Sequence, residues 1–470
     1  MAHPHDKTPL VPSPPSRRQA WFMTVLLMLF MALNFWDKAV LGLAAVPIMD
    51  ELNLSNSTYG LASSSFYLLF TVASILVGLM ANKVRSKWVF VVLALLWAVA
   101  QVPMLISATL TALFVSRIFM GAAEGPANPL TVHTAHAWFP PERRSLPTAL
   151  TQIASGIGAI TAALFLTWVI TEHGWRWAFA ATAILSAAWA VVYAILGKDR
   201  PADTHPTPAD PTAPTAPPAE AAPAVAGDTA DGQRVPYRRI LLSPTFLGSL
   251  AMTFAAAWCL AVVLAWLVPY FVRIVGYDPS EAGNMVIPPN VVSITAILVL
   301  GALSGRLMSR GTADRVPLGV FTGATVAAGG VCAVLIPYLG TGFWLVCGVS
   351  LAAGLPMVAM TSAYNAVGRI CPPAQRGAVL GALYGLYSLG SVGGPYAMGV
   401  ILDHAPDLAT GYHRGFTVLG VIAIAGGLCA ALCVNPGRDR GRLVGSVAAE
   451  SPAPGGDGRQ PGRPRTSPAV

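Results

Sequence analysis

The chain has 470 residues, 54% of them hydrophobic and only 11% charged, with a net charge of +8 and a mean hydropathy of +0.60. Soluble globular domains carry about 25% charged residues, so this composition excludes an ordinary soluble domain and indicates a polytopic membrane protein. The basic excess lies in short segments between apolar runs, where it reads as orientation and lipid contact rather than as a nucleic-acid surface.

A membrane span requires about 20 apolar residues. Twelve runs qualify: 20–48, 58–81, 88–107, 110–138, 145–171, 176–197, 244–272, 280–305, 316–338, 341–368, 376–402 and 415–434. The expected fold is an all-α integral membrane protein of twelve transmembrane helices in two pseudo-symmetric six-helix bundles. The first run is too long for a cleaved signal peptide, and Asp37 and Lys38 interrupt it where an apolar core would continue. With the N-terminus inside, fifteen Lys and Arg fall in or beside inner segments, from Lys83 to Arg376, against Arg176, Arg273 and Arg414 outside. That bias predicts both termini in the cytoplasm of a multi-pass membrane protein; the location expected is the plasma membrane, as in a bacterial inner membrane.

Boundaries follow from composition. Residues 1–19 form an N-terminal tail, 20–197 one six-run bundle, 198–239 a linker, 240–434 the second bundle and 435–470 a C-terminal tail. The linker's PADTHPTPADPTAPTAPPAEAAPAVA has no apolar period and predicts disorder, as does the Pro/Gly-rich tail 435–470. A repeat supports the division. An offset of 232 superposes Pro140 and Pro141 on Pro372 and Pro373, Arg144 on Arg376, and Gly158 on Gly390. Parallel repeats of six spans characterise the two halves of rocking transporters.

Chemistry concentrates in the first and fourth runs. A charged side chain at the centre of a membrane helix costs roughly 3 kcal/mol on insertion scales, so such residues are rare and usually functional. Run one carries Asp37 and Lys38, and run four carries Arg117 and Glu124; if all four ionise their charges cancel. Arg117 and Glu124 are two turns apart, about 10 Å, on nearly one helical stripe, which Asn128 extends. Asn34 lies three residues before Asp37 and is placed to face it. In the functional reading Lys38 and Arg117 hold an anion while Asp37 and Glu124 carry protons. The bland alternative is a pair of buried salt bridges tying two helices, with Lys38 paired to Asp37 or snorkelling. His133 and His136, near the inner end of run four, read as plain polar residues more than as a proton relay. Trp36, Tyr67, Trp266, Tyr270, Tyr364, Tyr384 and Tyr387 are placed to line a cavity or anchor at the interface. Tyr384, in mid-span, is the best placed for substrate. The six cysteines all lie in the second half and lack the partners of a zinc set. No nucleotide loop or nucleophile elbow appears, so neither an enzyme nor a cofactor is expected.

The motifs NFWDKAVLGLAAVPIMDELNLS, Arg117-Ile-Phe-Met-Gly121-Ala-Ala-Glu124-Gly-Pro126, Trp138-Phe139-Pro140 with Glu142-Arg143, and GWRWAF at 174–179 resemble the major facilitator superfamily. Within it, they resemble the anion:cation symporters. Trp266-Leu-Val-Pro269-Tyr270 adds to the likeness, which covers about 20–197 and 240–434. The resemblance implies an organic anion:proton symporter working by alternating access. Lys38 stands where that family has Arg, replacing a flat fork by a mobile point charge. The loop Gly78-Leu-Met-Ala-Asn82-Lys83-Val-Arg85 resembles the superfamily's inner-gate motif, with Asn82 in place of its acid. Gly78, Asn82, Lys83, Arg143 and Arg376 are accordingly the expected gating residues. Tyr384 occupies a place where the family often has Asn.

The function expected is import of a small organic anion, a carboxylate or sugar acid, by proton symport; sodium stays open as the coupling ion. The expected partners are that anion, protons and the bilayer, with no nucleic acid, and the chain is expected to be monomeric. Two alternatives stand beside this. One is proton-driven efflux of a drug or metabolite, although run five has Gln152-Ile-Ala-Ser-Gly156-Ile-Gly158 in place of the exporters' G-x-x-x-G-P. The other is a non-transporting membrane receptor or scaffold, which a folded signalling domain would favour.

Overall fold

A computed structural model of the chain describes residues 17–80, 86–139, 143, 145–198 and 235–450. No strand occurs among them. The helices are α1 (Arg17–Leu43), α2 (Ala45–Glu51), α3 (Asn56–Met80), α4 (Ser86–Ile106), α5 (Leu110–Glu124), α6 (Ala127–Trp138), α7 (Ser145–His173) and α8 (Trp175–Leu196). After the interval to 235 come α9 (Tyr237–Leu241), α10 (Pro244–Tyr270), α11 (Pro279–Asn284), α12 (Ile287–Ser309), α13 (Thr322–Leu335) and α14 (Phe343–Gly354). The last are α15 (Val358–Ile370), α16 (Pro373–Asp403), α17 (Leu408–Cys433) and α18 (Pro436–Glu450). Among the described residues, nine helices are long and apolar enough to cross a membrane. The expected runs 58–81, 110–138 and 376–402 coincide with α3, with α5 plus α6, and with α16. Large apolar side chains face outward along the helices, such as Ile106 of α4, Ile195 of α8 and Leu432 of α17. Lipid tolerates that surface and water does not.

Local chemistry starts and stops the helices. Thr109, Ser243 and Asp407 accept the N–H three residues on at the starts of α5, α10 and α17, and Pro244 follows Ser243 at the first helical position. The fourth run is two helices rather than one. Pro126 has no N–H to continue the ladder, and the carbonyls at the break are taken from outside. Trp97 Nε1 donates to the Ala123 carbonyl at 3.0 Å and Ser74 Oγ to that of Gly125 at 2.6 Å. The tenth run breaks similarly, between α14 and α15 at Pro356. Shifted by 232 residues, α6 would run 359–370, against Val358–Ile370 for α15.

The first and second halves of the chain meet at one end of the helices. There Arg273 pairs with Asp50 at 2.7 Å, and the Tyr59 hydroxyl donates to the Ala265 carbonyl at 3.1 Å. Asp403 accepts from the backbone N–H groups of Asn56 and Ser57 at 3.0 and 2.8 Å, capping α3 from the far half. A Cβ on Gly42 would collide with the Leu264 carbonyl and one on Gly60 with that of Pro395, so α1 meets α10 and α3 meets α16 backbone to backbone. Towards the opposite end, a Cβ on Gly301, Gly305, Gly377 or Gly381 would have no neighbour within 4 Å.

Two of the segments expected to lack structure are partly helical. The linker's described end includes α9, and Val235 exchanges both backbone hydrogen bonds with the Gln375 side chain, at 2.9 and 2.7 Å. The tail begins with α18, because Asp439 is buried and accepts from the Thr245 N–H and hydroxyl at 2.8 and 2.7 Å. These contacts give polar sequences a reason to fold that their composition does not show. The Pro/Ala-rich stretch 201–226 lies outside the described residues.

Candidate functional site

The four charges of the first and fourth runs come together, with pairings that differ from those expected. Adjacent helical residues point about 100° apart, and Asp37 and Lys38 turn to different partners. Lys38 Nζ lies 3.0 Å from Glu124 Oε2 and also bonds the Asn34 side-chain oxygen one turn earlier. Asn34 Nδ2 donates to the same Glu124 oxygen at 2.8 Å. Asn34 therefore serves Lys38 and Glu124, and the expectation that it faces Asp37 is corrected. Spacing i to i+4 brings it over Lys38, where the i+3 position of Asp37 points elsewhere. The rings of Phe35 and Phe70 stand 4.9 and 5.3 Å from the ammonium, adding a cation–π environment.

Asp37 is completely buried. It accepts from Gln101 Nε2 of α4 at 2.8 Å and from Ser186 Oγ of α8 at 3.3 Å. Arg117 is 2% exposed, and its Nη2 donates to Gln101 Oε1 at 3.2 Å and to Ser116 Oγ at 3.3 Å. Asp37 and Arg117 are thus joined through an amide. Three charges nearly without solvent require this much hydrogen bonding, since an uncompensated buried charge is costly. Of the atoms of these three charged groups, Arg117 Nε and Glu124 Oε1 have no hydrogen-bond partner among the described residues.

Between α1, α3, α5 and α10 lies a cavity of about 30 Å³, lined by Lys38, Tyr59, Ser63, Tyr67, Arg117 and Ala265 among others. It holds about one water by volume. Two cations and three hydroxyl-bearing side chains line this small space, a donor set that suits an anion. Gly42, Leu264 and Ala265 close it at the Asp50 end.

The other expected site residues spread around this centre. Tyr384 reaches it indirectly. Its ring is 6.3 Å from Phe70 and 5.1 Å from Tyr387, whose hydroxyl lies 3.3 Å from that of Tyr364. Phe70 consequently stands between Lys38 and a cluster of three tyrosines from the second half. Asn128 does not extend the Arg117–Glu124 stripe. The break at Pro126 turns it towards α7, where Gln152 donates to it at 2.9 Å. Trp266 and Tyr270 belong to the seal at the Asp50 end, where Trp266 packs on Tyr59 and Tyr412 and donates to the Pro395 carbonyl at 3.0 Å. His136 bonds Thr148 at 2.9 Å. Among the gating candidates, Gly78 lies in the last turns of α3, Arg376 in the first turn of α16, and Arg143 is exposed. Asn82 and Lys83 lie outside the described residues. The second half does place an acid near its corresponding loop. Asp314 accepts from Arg369 Nη1 through both oxygens, at 2.9 and 2.8 Å.

The profile of the Major Facilitator Superfamily matches residues 27–366. The chain belongs to that superfamily. A hexuronate transporter of Bacillus subtilis is 24% identical over 420 residues, covering 88% of this chain and 95% of the relative. A probable sulfoacetate transporter of Cupriavidus necator is 30% identical over 285 residues, covering 60% and 64%. Of solved structures, a bacterial homologue of the human lysosomal transporter Spinster, inward-facing and unoccupied, superposes with a TM-score of 0.71. It is 17% identical and the match covers 91% of this chain and 99% of that one. A D-xylose–proton symporter gives 0.68 at 16% identity, over 89% and 99%. Fold and relatives alike are those of major facilitator transporters and not of enzymes.

Among the centre's members that sequence reasoning missed are Gln101 and Ser186. A signal existed for Gln101, the sole amide in the otherwise apolar run 88–107. Ser186 had none, because a serine can satisfy itself on its own helix.

Proposed function

We propose that the chain is a twelve-span secondary transporter of two six-span halves that imports a small organic carboxylate or sugar acid together with protons. The observation that carries this is the small cavity between α1, α3, α5 and α10 on which Lys38 and Arg117 converge, with Glu124 seated on Lys38. The relatives named for hexuronate and sulfoacetate, both anions, support the substrate class.

The geometry supports a competition. With Glu124 ionised, its carboxylate occupies the ammonium that an incoming carboxylate needs. Protonation of Glu124 removes that competitor, and the substrate anion takes its place on Lys38 and on the donors of Arg117. On this side of the centre the proton on Glu124 offsets one negative charge of the substrate, so that Lys38 stays paired throughout. Tyr67, Tyr384 and the tyrosines behind it supply hydroxyls for the rest of the substrate. Contacts between the halves at the Asp50 end support a conformation closed at that end, the one the expected topology places outside. Proton loss to the cytoplasm lets Glu124 return to Lys38 and displace the anion.

Uptake into proteoliposomes of labelled glucuronate, galacturonate, sulfoacetate and short monocarboxylates, with and without an imposed pH gradient, tests the reading. Accumulation of at least one acid, driven by an acidic exterior, is expected. Accumulation driven equally by sodium at uniform pH, or of none of the acids, would overturn it.

A further inference from the structure

Nothing in the motifs or in the family likeness assigns Gln101, yet it is the sole side chain hydrogen-bonded to both Asp37 and Arg117 among the described residues. It is completely buried. An ionised carboxylate only accepts and a guanidinium only donates. The amide is therefore oriented by the charges at its two ends, with its NH₂ on Asp37 at 2.8 Å and its oxygen on Arg117 at 3.2 Å.

We propose that Gln101 is a positioning residue that converts protonation of Asp37 into release of Arg117 to the transported anion. A proton on Asp37 removes the charge assistance from the amide's N–H bond and turns one carboxyl oxygen into a donor. The amide then satisfies Asp37 best by presenting its oxygen, which requires it to turn end over end. Turned, it faces Arg117 with NH₂, donor against donor, and the guanidinium exchanges this partner for an anion in the adjoining cavity. Arg117 Nε, unpartnered in the deprotonated arrangement, gains a partner in that step. No bond other than hydrogen bonds forms or breaks; the proton stays on Asp37 until the inner side is exposed.

The groups around Asp37 leave this as a switch for one proton. Lys38 on its own helix is held by Glu124, and Arg117 and Glu124 on α5 are the charges whose fields reach it. From α3 the Tyr59 phenol approaches Arg117, with its hydroxyl committed to Ala265. The helices α4 and α8 offer the neutral Gln101 and Ser186.

The inference rests on the proton-coupled anion reading, so two measurements separate them. In substrate counterflow with full-length protein, apparent affinity for the transported acid should rise about tenfold per lost charge-assisted bond as pH falls from about 8 to 5. In Gln101→Met that slope should fall to the part that protonation of Glu124 supplies; a lowered maximal rate with the slope intact would assign Gln101 a structural role and overturn the switch. The second needs no substrate. Infrared difference spectra of wild-type protein with isotope-labelled glutamine, with Gln101→Asn and Asp37→Asn to assign bands, should show the Gln101 carbonyl band shifting at the pH where the Asp37 carboxylic acid band appears. A Gln101 band unmoved while Asp37 protonates would overturn the proposal even if transport is proton-coupled. Coupled bands with no acid transported would leave the switch standing and remove the substrate reading.

Discussion

The two halves of the chain share a helix pattern and a break near the same place, but differ in chemistry. The first half buries Asp37, Arg117 and Glu124 at its centre and holds Lys38 against them. Between 244 and 433 no Asp, Glu, Lys or Arg is buried among the described residues, and tyrosines stand in the corresponding interior. The difference teaches how the two halves of a transporter chain can divide work. A rocking pair needs charge recognition on one side only, because charges facing each other across the cleft would have to be desolvated twice in each cycle. The second half can then supply shape, hydroxyls and closure.

Arg117→Ala should break this asymmetry most completely. Transport is expected to fall roughly 100-fold, the size of two charge-assisted hydrogen bonds, with membrane protein levels close to normal. Arg117→Lys should retain a small part, and unchanged substrate affinity in both variants would make Arg117 structural.

Glu124→Gln comes next. Accumulation against a gradient should vanish while counterflow persists within about tenfold, since the glutamine still caps Lys38 without carrying a proton. Normal gradient-driven accumulation would remove Glu124 from the proton path.

Lys38→Met leaves Glu124 buried without its cation, which costs about 3–5 kcal/mol when one partner is removed. Lower protein levels and loss of transport are expected. The double variant Lys38→Met, Glu124→Gln should restore the levels but not transport, a cycle that isolates the pair. Lys38→Arg should keep more activity than Lys38→Met, and equal uptake by the two would show the charge to be dispensable.

The second half should show gentler effects. Tyr384→Phe is expected to raise KM a few-fold, about the contribution of one neutral hydrogen bond, with proton coupling intact. A change in coupling would mean that the division of labour between halves is wrong.

Asp403→Asn should shift the conformational balance by no more than about fivefold, since carboxylates at exposed helix N-termini contribute about 0.3–1 kcal/mol. Burial opposes the Asp403 charge, but hydrogen bonds from Ser57 and Asn56 outweigh it and hold the carboxyl below its ordinary range. A group lowered in this way stabilises the closed contact above the freed carboxyl's value, about 3.9, and that contribution is lost as pH falls through the lowered one. Accessibility of a cysteine introduced near Ser57 should therefore rise in Asp403→Asn at neutral pH, and in the parent only below about pH 4. Equal accessibility at neutral pH would remove Asp403 from the seal.

Apolar run length and scarcity of charge were enough to predict a multi-helical membrane protein, because the bilayer demands both from local sequence alone. Asp37, Lys38, Arg117 and Glu124 were legible for the same reason: a charge in hydrocarbon is conspicuous in one dimension. Their partners were not. Whether Lys38 meets Asp37 or Glu124, and whether Asn34 turns to one or the other, depends on the rotation of α1 against α5, which no spacing along a single helix determines. The break at Pro126 was visible as a proline, but its consequence for Asn128 depended on Trp97 and Ser74 arriving from two other helices. The folding of α18 likewise depended on the buried contact of Asp439 with Thr245, nearly two hundred residues away. Membership of the hydrocarbon core is a property of a segment and can be read from it. Hydrogen-bond partnership in that core belongs to pairs of helices, and only their packing decides it.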